Sequence, residues 1–114
     1  TADTINNFFS EYDYPLDPHT AVAVAVYSEY DAEETVPTVI VSTASPYKFA
    51  ADVVDAINGK LYDNAFKAAK ALENLSALPM PESLKKLKDM PVLHRDVCSK
   101  DGAFQAVLKA LKKK

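Results

Sequence analysis

The stretch Leu16-Asp-Pro-His-Thr-Ala-Val-Ala-Val-Ala-Val-Tyr27 decides how the chain is read. From Ala21 to Val26, Ala and Val alternate with the period of a strand. The start of the stretch says helix instead: the Asp17 carboxylate can accept from the N–H groups of a first turn, and Pro18 suits the first helical position. Alternating Ala and Val also forms a helix buried on most sides, so a helix is expected over residues 18–30. Upstream, Ile5, Phe8, Phe9 and Tyr12 stand at i, i+3, i+4 and i+7 and predict a helix over 3–12. Its apolar face needs covering, which a part of a longer parent chain would supply.

Downstream, Val36, Val39, Ile40 and Val41 form a β-branched run, preceded by the acidic residues Asp31 to Glu34, and predict a strand over 36–42. Ser42-Thr-Ala-Ser-Pro46 ends it. Ser45 can cap a following helix with Pro46 in its first position; Phe49, Val53, Ala56 and Ile57 mark that helix over 46–57, and Asn58-Gly59 supplies its stop. Further helices are expected over 62–76, from Tyr62, Phe66, Ala69 and Leu72, over 81–89 between prolines, and over 102–113, from Phe104, Val107, Leu108 and Leu111. A short strand is expected over 93–97. The expected fold class is therefore helix-rich α/β, one unit over 1–114 with one or two short strands. So few strands make a poor sheet by themselves, which again points to a larger parent.

Composition narrows the function. With 13 basic and 16 acidic side chains, a formal net charge of −3 and 48% hydrophobic residues, the 114-residue chain reads as one soluble domain. That balance gives no reason to seek nucleic acid or an anionic membrane. Only Gly59 and Gly102 are glycines, so neither a dinucleotide fingerprint nor a phosphate-cradling P-loop can be built. The single cysteine, Cys98, cannot form an internal disulfide, and no secretory segment opens the sequence, so a cytoplasmic location is expected. The chain starts at Thr1 without methionine and ends in three lysines, which fits a piece of something longer.

The junction Ser42-Thr43-Ala44-Ser45 is the most functional-looking place, because hydroxyls meet a helix start at the end of an expected strand. It has two readings, a helix cap with satisfied backbone groups or a ligand contact at Thr43. His19 and His94 stand far apart with no ligand set at metal-binding spacing, so no metal site is expected. His19 and Cys98 read as structural. Lys48 lies in a first helical turn, where the dipole opposes a cation, so it is either solvated or close to an anionic partner.

Two blocks together carry a family resemblance: Leu16-Asp-Pro-His-Thr-Ala-Val-Ala-Val-Ala-Val-Tyr27 and, after the expected strand, Ser42-Thr-Ala-Ser-Pro-Tyr-Lys-Phe49. In this order and at this separation they resemble the D-P-H-T-A-V-A and T-A-H-P-A-K-F blocks near the C-terminus of threonine synthases. The resemblance implies the C-terminal part of a fold type II pyridoxal 5'-phosphate enzyme that converts O-phospho-L-homoserine and water to L-threonine and phosphate. It implies that the cofactor-binding lysine and the phosphate loop lie upstream, outside this sequence, so no catalytic residue is expected here and the fragment alone should be inactive. Its partners would be the rest of the parent chain and the small-molecule substrate.

By the same resemblance Thr43 faces the pyridine nitrogen of the cofactor, and His19 and Lys48 support the pocket from behind. Ser45 and Tyr47 depart from the family's histidine and alanine; serine keeps the capping function. Two other readings stand beside this one. One is a free-standing, non-catalytic α/β interaction module binding a partner through Ile5, Phe8 and Phe9. The other is a threonine-synthase-like lyase that makes a keto acid from the same substrate.

Overall fold

A computed structural model describes residues 1–30 and 37–112. Six helices and one 3-10 turn make up its regular structure: α1 (Ala2–Tyr12), α2 (Pro18–Ser28), the turn Pro46–Phe49, α3 (Ala50–Asn58), α4 (Ala65–Leu75), α5 (Glu82–Leu87) and α6 (Ala103–Leu111). The stretch expected as one helix over 46–57 thus begins as a tighter 3-10 turn and relaxes into α3 at Ala50. The helix expected from Tyr62 begins at Ala65, because the Asn64 side chain caps it by accepting from the N–H groups of Phe66 and Lys67 at 2.9 and 3.1 Å.

α3 sits in the middle. It packs on α1, on α4 and on the 3-10 turn, while α2 packs on α1. The core gathers Ile5 from α1, Leu16, Ala21 from α2, Tyr47 from the turn, Ala50, Val53 and Val54 from α3, Ala68, Ala69 and Leu72 from α4, and Met80. Ile5, Val53, Val54 and Leu72 are almost fully enclosed, and burial of a side chain of this size contributes about 1.5–3 kcal/mol. The α1 face that the sequence leaves in need of a cover is closed by this chain's own α2 and α3, with Phe8 packed against the core. Of the residues an interaction module would use, Ile5 and Phe8 are thus engaged within the chain, while Phe9 is half-buried outside the core. Gly59 ends α3 at φ 70°, a left-handed conformation that disfavours a Cβ, and its N–H closes on the Asp55 carbonyl at 2.7 Å.

The α/β expectation is corrected among the described residues, which contain no strand. Residues 37–42 and 93–97 run without regular structure; Val36, the first residue of the expected strand, the acidic stretch Asp31 to Glu34, and Lys113 at the end of the last expected helix lie outside the described residues. The physical reason is pairing. A strand exists only when a neighbour takes its N–H and C=O groups, and neither segment meets one; Val39 is 81% exposed and Val97 95%.

The molecule is elongated, 57 × 34 × 24 Å, with a radius of gyration of 18.6 Å against about 13 Å for a closed domain of about 100 residues. Neither α5 nor α6 contributes a fully buried residue, and Phe104, Val107 and Leu111 on α6 are exposed. No helix among the described residues is long and apolar enough to cross a membrane.

Candidate functional site

The site forms where the start of α2 meets the 3-10 turn. Asp17 caps α2 with one carboxylate oxygen, Oδ1, which accepts from the N–H groups of His19 and Thr20 at 3.0 and 3.3 Å. Its other oxygen, Oδ2, accepts from the Thr20 hydroxyl and lies 3.3 Å from Ser42 Oγ, which is itself 3.1 Å from Thr20 Oγ1. Asp17 is only 1% exposed. Burial opposes its ionisation, but the Thr20 hydroxyl, the N–H groups of Thr20 and His19, and the Ser42 hydroxyl outweigh it and hold the carboxyl below its ordinary value. Hydrogen-bond donors of the protein thus replace the water that this anion loses, as a buried carboxylate requires if it is to stay charged.

His19 projects from the first turn of α2 with its ring 5.1 Å from that of Phe49, tilted by 53°. Its Nδ1 lies 3.4 Å from Asp17 Oδ1. Lys48 also reaches Phe49, with Nζ 5.3 Å from the ring centre. The two sequence blocks, separate in the chain, therefore share one aromatic junction at Phe49. His94 and Cys98 are far from it in sequence and exposed. Among the described residues no group of His, Cys, Asp and Glu could hold a metal ion.

Thr43 follows Ser42 and is exposed. Its neighbours on both sides are tied down. Ser42 reaches Asp17, Thr20 and the Ala44 carbonyl, the last at 3.3 Å, while Ser45 Oγ accepts from the Tyr47 N–H at 3.3 Å and so caps the 3-10 turn. No described residue bonds the Thr43 hydroxyl, which leaves it open to an outside group. A neutral hydroxyl can both donate and accept a hydrogen bond, so it could partner a ring nitrogen as well as water. Tyr47, where the resemblance leads one to expect alanine, acts structurally. Its ring is buried and its hydroxyl donates to the Leu78 carbonyl at 2.5 Å, pinning the loop after α4 to the site's supporting turn.

Sequence patterns missed two features. One is the link from Asp17 to Ser42 across 25 positions; the acid at a cap and a serine in a hydroxyl-rich loop were its only signals. The other is a groove of about 890 Å³ between α4 and α5, floored by Phe66, Met80 and Leu84. At its rim Glu73 accepts from Lys70 at 2.8 Å and lies 3.2 Å from Lys85, and these two ammonium groups bring its carboxyl down to about 2.

Comparison with known proteins supplies the family. The family model described as threonine synthase, C-terminal, matches residues 20–107, which takes in Thr43 and Lys48 and leaves α1, Asp17 and His19 outside. A threonine synthase of Corynebacterium glutamicum is 41% identical over 54 residues, 47% of this chain and 11% of that protein. The protein named threonine synthase-like 1 is 32% identical in Mus musculus and 33% in Homo sapiens, each over 100 residues, 85% of this chain and 13% of the relative. The chain thus spans only 11% to 13% of the length of these relatives. No solved structure matches.

Proposed function

The chain belongs to the threonine synthase C-terminal family, and from that membership we propose that it forms the C-terminal part of an enzyme converting O-phospho-L-homoserine and water to L-threonine and phosphate with pyridoxal 5'-phosphate. What supports the reading is the junction at Phe49, where His19 of the first block and Lys48 of the second reach one ring, with Thr43 six positions earlier in the second block. When bound, the cofactor supplies an electron sink for negative charge developing on the substrate carbon skeleton. This chain's part is to orient the ring. The Thr43 hydroxyl would pair with the ring nitrogen as a neutral partner, without holding a proton there as a carboxylate would. His19 and Lys48 brace the Phe49 side of the turn that follows Thr43.

The upstream part of the parent completes the fold. Segment 37–42, with Val39 and Val41 exposed, takes up strand pairing with the parent's sheet, which would restore the expected α/β class. A cytoplasmic location accords with the unpaired, exposed thiol of Cys98. The 114-residue piece alone turns over no substrate, because a single hydroxyl contact gives little cofactor affinity.

A second reading has its own support, since the matches to threonine synthase-like 1 cover more of this chain than the match to the bacterial synthase. In that reading the parent is a lyase that takes the same substrate to a keto acid. Incubating the full-length parent, loaded with cofactor, with O-phospho-L-homoserine separates the two: L-threonine with phosphate supports the synthase, a keto acid with phosphate supports the lyase, and no phosphate release from a cofactor-loaded enzyme refutes both.

A further inference from the structure

We propose that Asp17 is a positioning residue for the cofactor contact: through the Ser42 hydroxyl it fixes the backbone that aims Thr43 at the ring nitrogen. This rests on the assignment of Thr43 to that nitrogen made above.

A helix cap by itself asks little of a carboxylate. Capping α2 takes one acceptor, and Oδ1 of Asp17 does it alone by receiving the His19 and Thr20 N–H groups. Asparagine, serine or threonine would cap about as well without a buried charge. The second oxygen therefore serves a separate purpose. Oδ2 holds the Thr20 hydroxyl and lies within hydrogen-bonding distance of Ser42, 25 residues further along. The Thr20 hydroxyl closes the triangle at 3.1 Å from Ser42. Hydrogen bonds to an ionised acceptor are about twice as strong as neutral ones, which suits an anchor for exposed backbone.

The segment that needs anchoring is the one before the turn. Residues 37–43 have no regular structure and none is fully buried, Ile40 being half-buried. On its far side the backbone is fixed by Pro46 and Tyr47, both buried, with the Tyr47 hydroxyl on the Leu78 carbonyl. On its near side the Asp17–Thr20–Ser42 triangle is a restraint that ties Ser42 to α2, beside the local contact of Ser42 with the Ala44 carbonyl at 3.3 Å. Thr43 sits between these two fixed points with its own hydroxyl unengaged among the described residues. Two clamps around one free hydroxyl are the arrangement that preorganises a contact and spares the entropy of ordering it at binding.

The test uses the full-length parent enzyme and four variants: T43V, S42A, S42T and D17N. Each apoenzyme is titrated with pyridoxal 5'-phosphate, and the pH titration of the bound cofactor's absorption band is recorded; thermal melts report folding. T43V should weaken cofactor binding by about three- to tenfold, the loss of one hydrogen bond, and shift the band's titration. S42A and D17N should move both readouts in the same direction, S42T should stay near the parent, and D17N in the T43V background should add no further shift. Ser42 is exposed, so S42A tests the idea in a folded protein even if D17N lowers the melting temperature. If T43V leaves the band and the affinity unchanged, the Thr43 assignment itself fails. If T43V moves them but S42A and D17N do not, or if D17N adds fully to T43V, Thr43 contacts the ring and Asp17 does not position it.

Discussion

The His19 imidazole packs against the Phe49 ring at 5.1 Å with a tilt of 53°, joining the first turn of α2 to the 3-10 turn that precedes α3. Tilted ring pairs of this kind contribute about 0.5–1.5 kcal/mol beyond their buried area. A double-mutant cycle with H19A and F49A, read by denaturant unfolding of the chain, should give a coupling energy in that range. F49A alone should cost about 2 kcal/mol, less than truncation of a fully enclosed ring because Phe49 is half-buried. Strict additivity of the two substitutions would show that the rings lie near each other without acting on each other.

Asp17 gives the second expectation. D17A removes the α2 cap and takes the carboxylate acceptor from the buried Thr20 hydroxyl, while Ser42 keeps the Ala44 carbonyl, so it should destabilise the chain by about 2–3 kcal/mol, whereas D17N, which keeps a capping oxygen, should cost about half as much. Equal losses for the two variants would mean that the cap adds nothing and that loss of the charged Oδ2 acceptor is the whole effect; no loss in D17N would mean that only the cap matters.

The Tyr47 hydroxyl donates to the Leu78 carbonyl at 2.5 Å. Y47F should therefore cost about 1 kcal/mol and should speed hydrogen exchange at Met80, whose N–H is held by Glu73 Oε1 at 3.4 Å in the same loop. Unchanged exchange at Met80 would show that the loop is held by other contacts.

Acid should loosen the α4–α5 pairing. Hydrogen bonds from Lys70 and then Lys85 lower the Glu73 carboxyl from 4.5 to about 2, so the folded state binds this proton less readily than the unfolded chain. The sign follows: the stabilisation is complete above about 4.5 and is lost as pH falls through about 2. A pH series of melting temperatures should decline across that window in the wild type and run flatter in E73Q. Parallel declines would place the acid sensitivity elsewhere, with Asp17 the next group to examine.

Local chemistry was legible in the sequence where a residue acts on its immediate neighbours. Asp17 at the head of α2, Ser45 before Pro46, and Gly59 after Asn58 announce their capping geometry because the groups they bond lie within four positions. Strand content was not, since β-branched residues at 39–41 state only a preference, and the preference becomes a strand when another strand arrives to pair with it. Nor could periodicity reveal which face of α1 would be covered by which helix. The pairing of Asp17 with Ser42, and of Tyr47 with Leu78, depends on how helices come together, and residue spacing carries no record of that approach. The pair of blocks over 16–27 and 42–49 carries the family signature in the sequence itself, and the family match over 20–107 takes in the second block whole and the first from Thr20.

The exposed stretch after α5 also governs how the chain meets a protease. Residues 88–101 bury no side chain, and within them lie Lys88, Arg95 and Lys100, with no regular structure around Arg95. Brief exposure to trypsin should therefore nick the chain between Lys88 and Lys100, shedding α6 as a short peptide while the bundle of α1 to α4 survives intact.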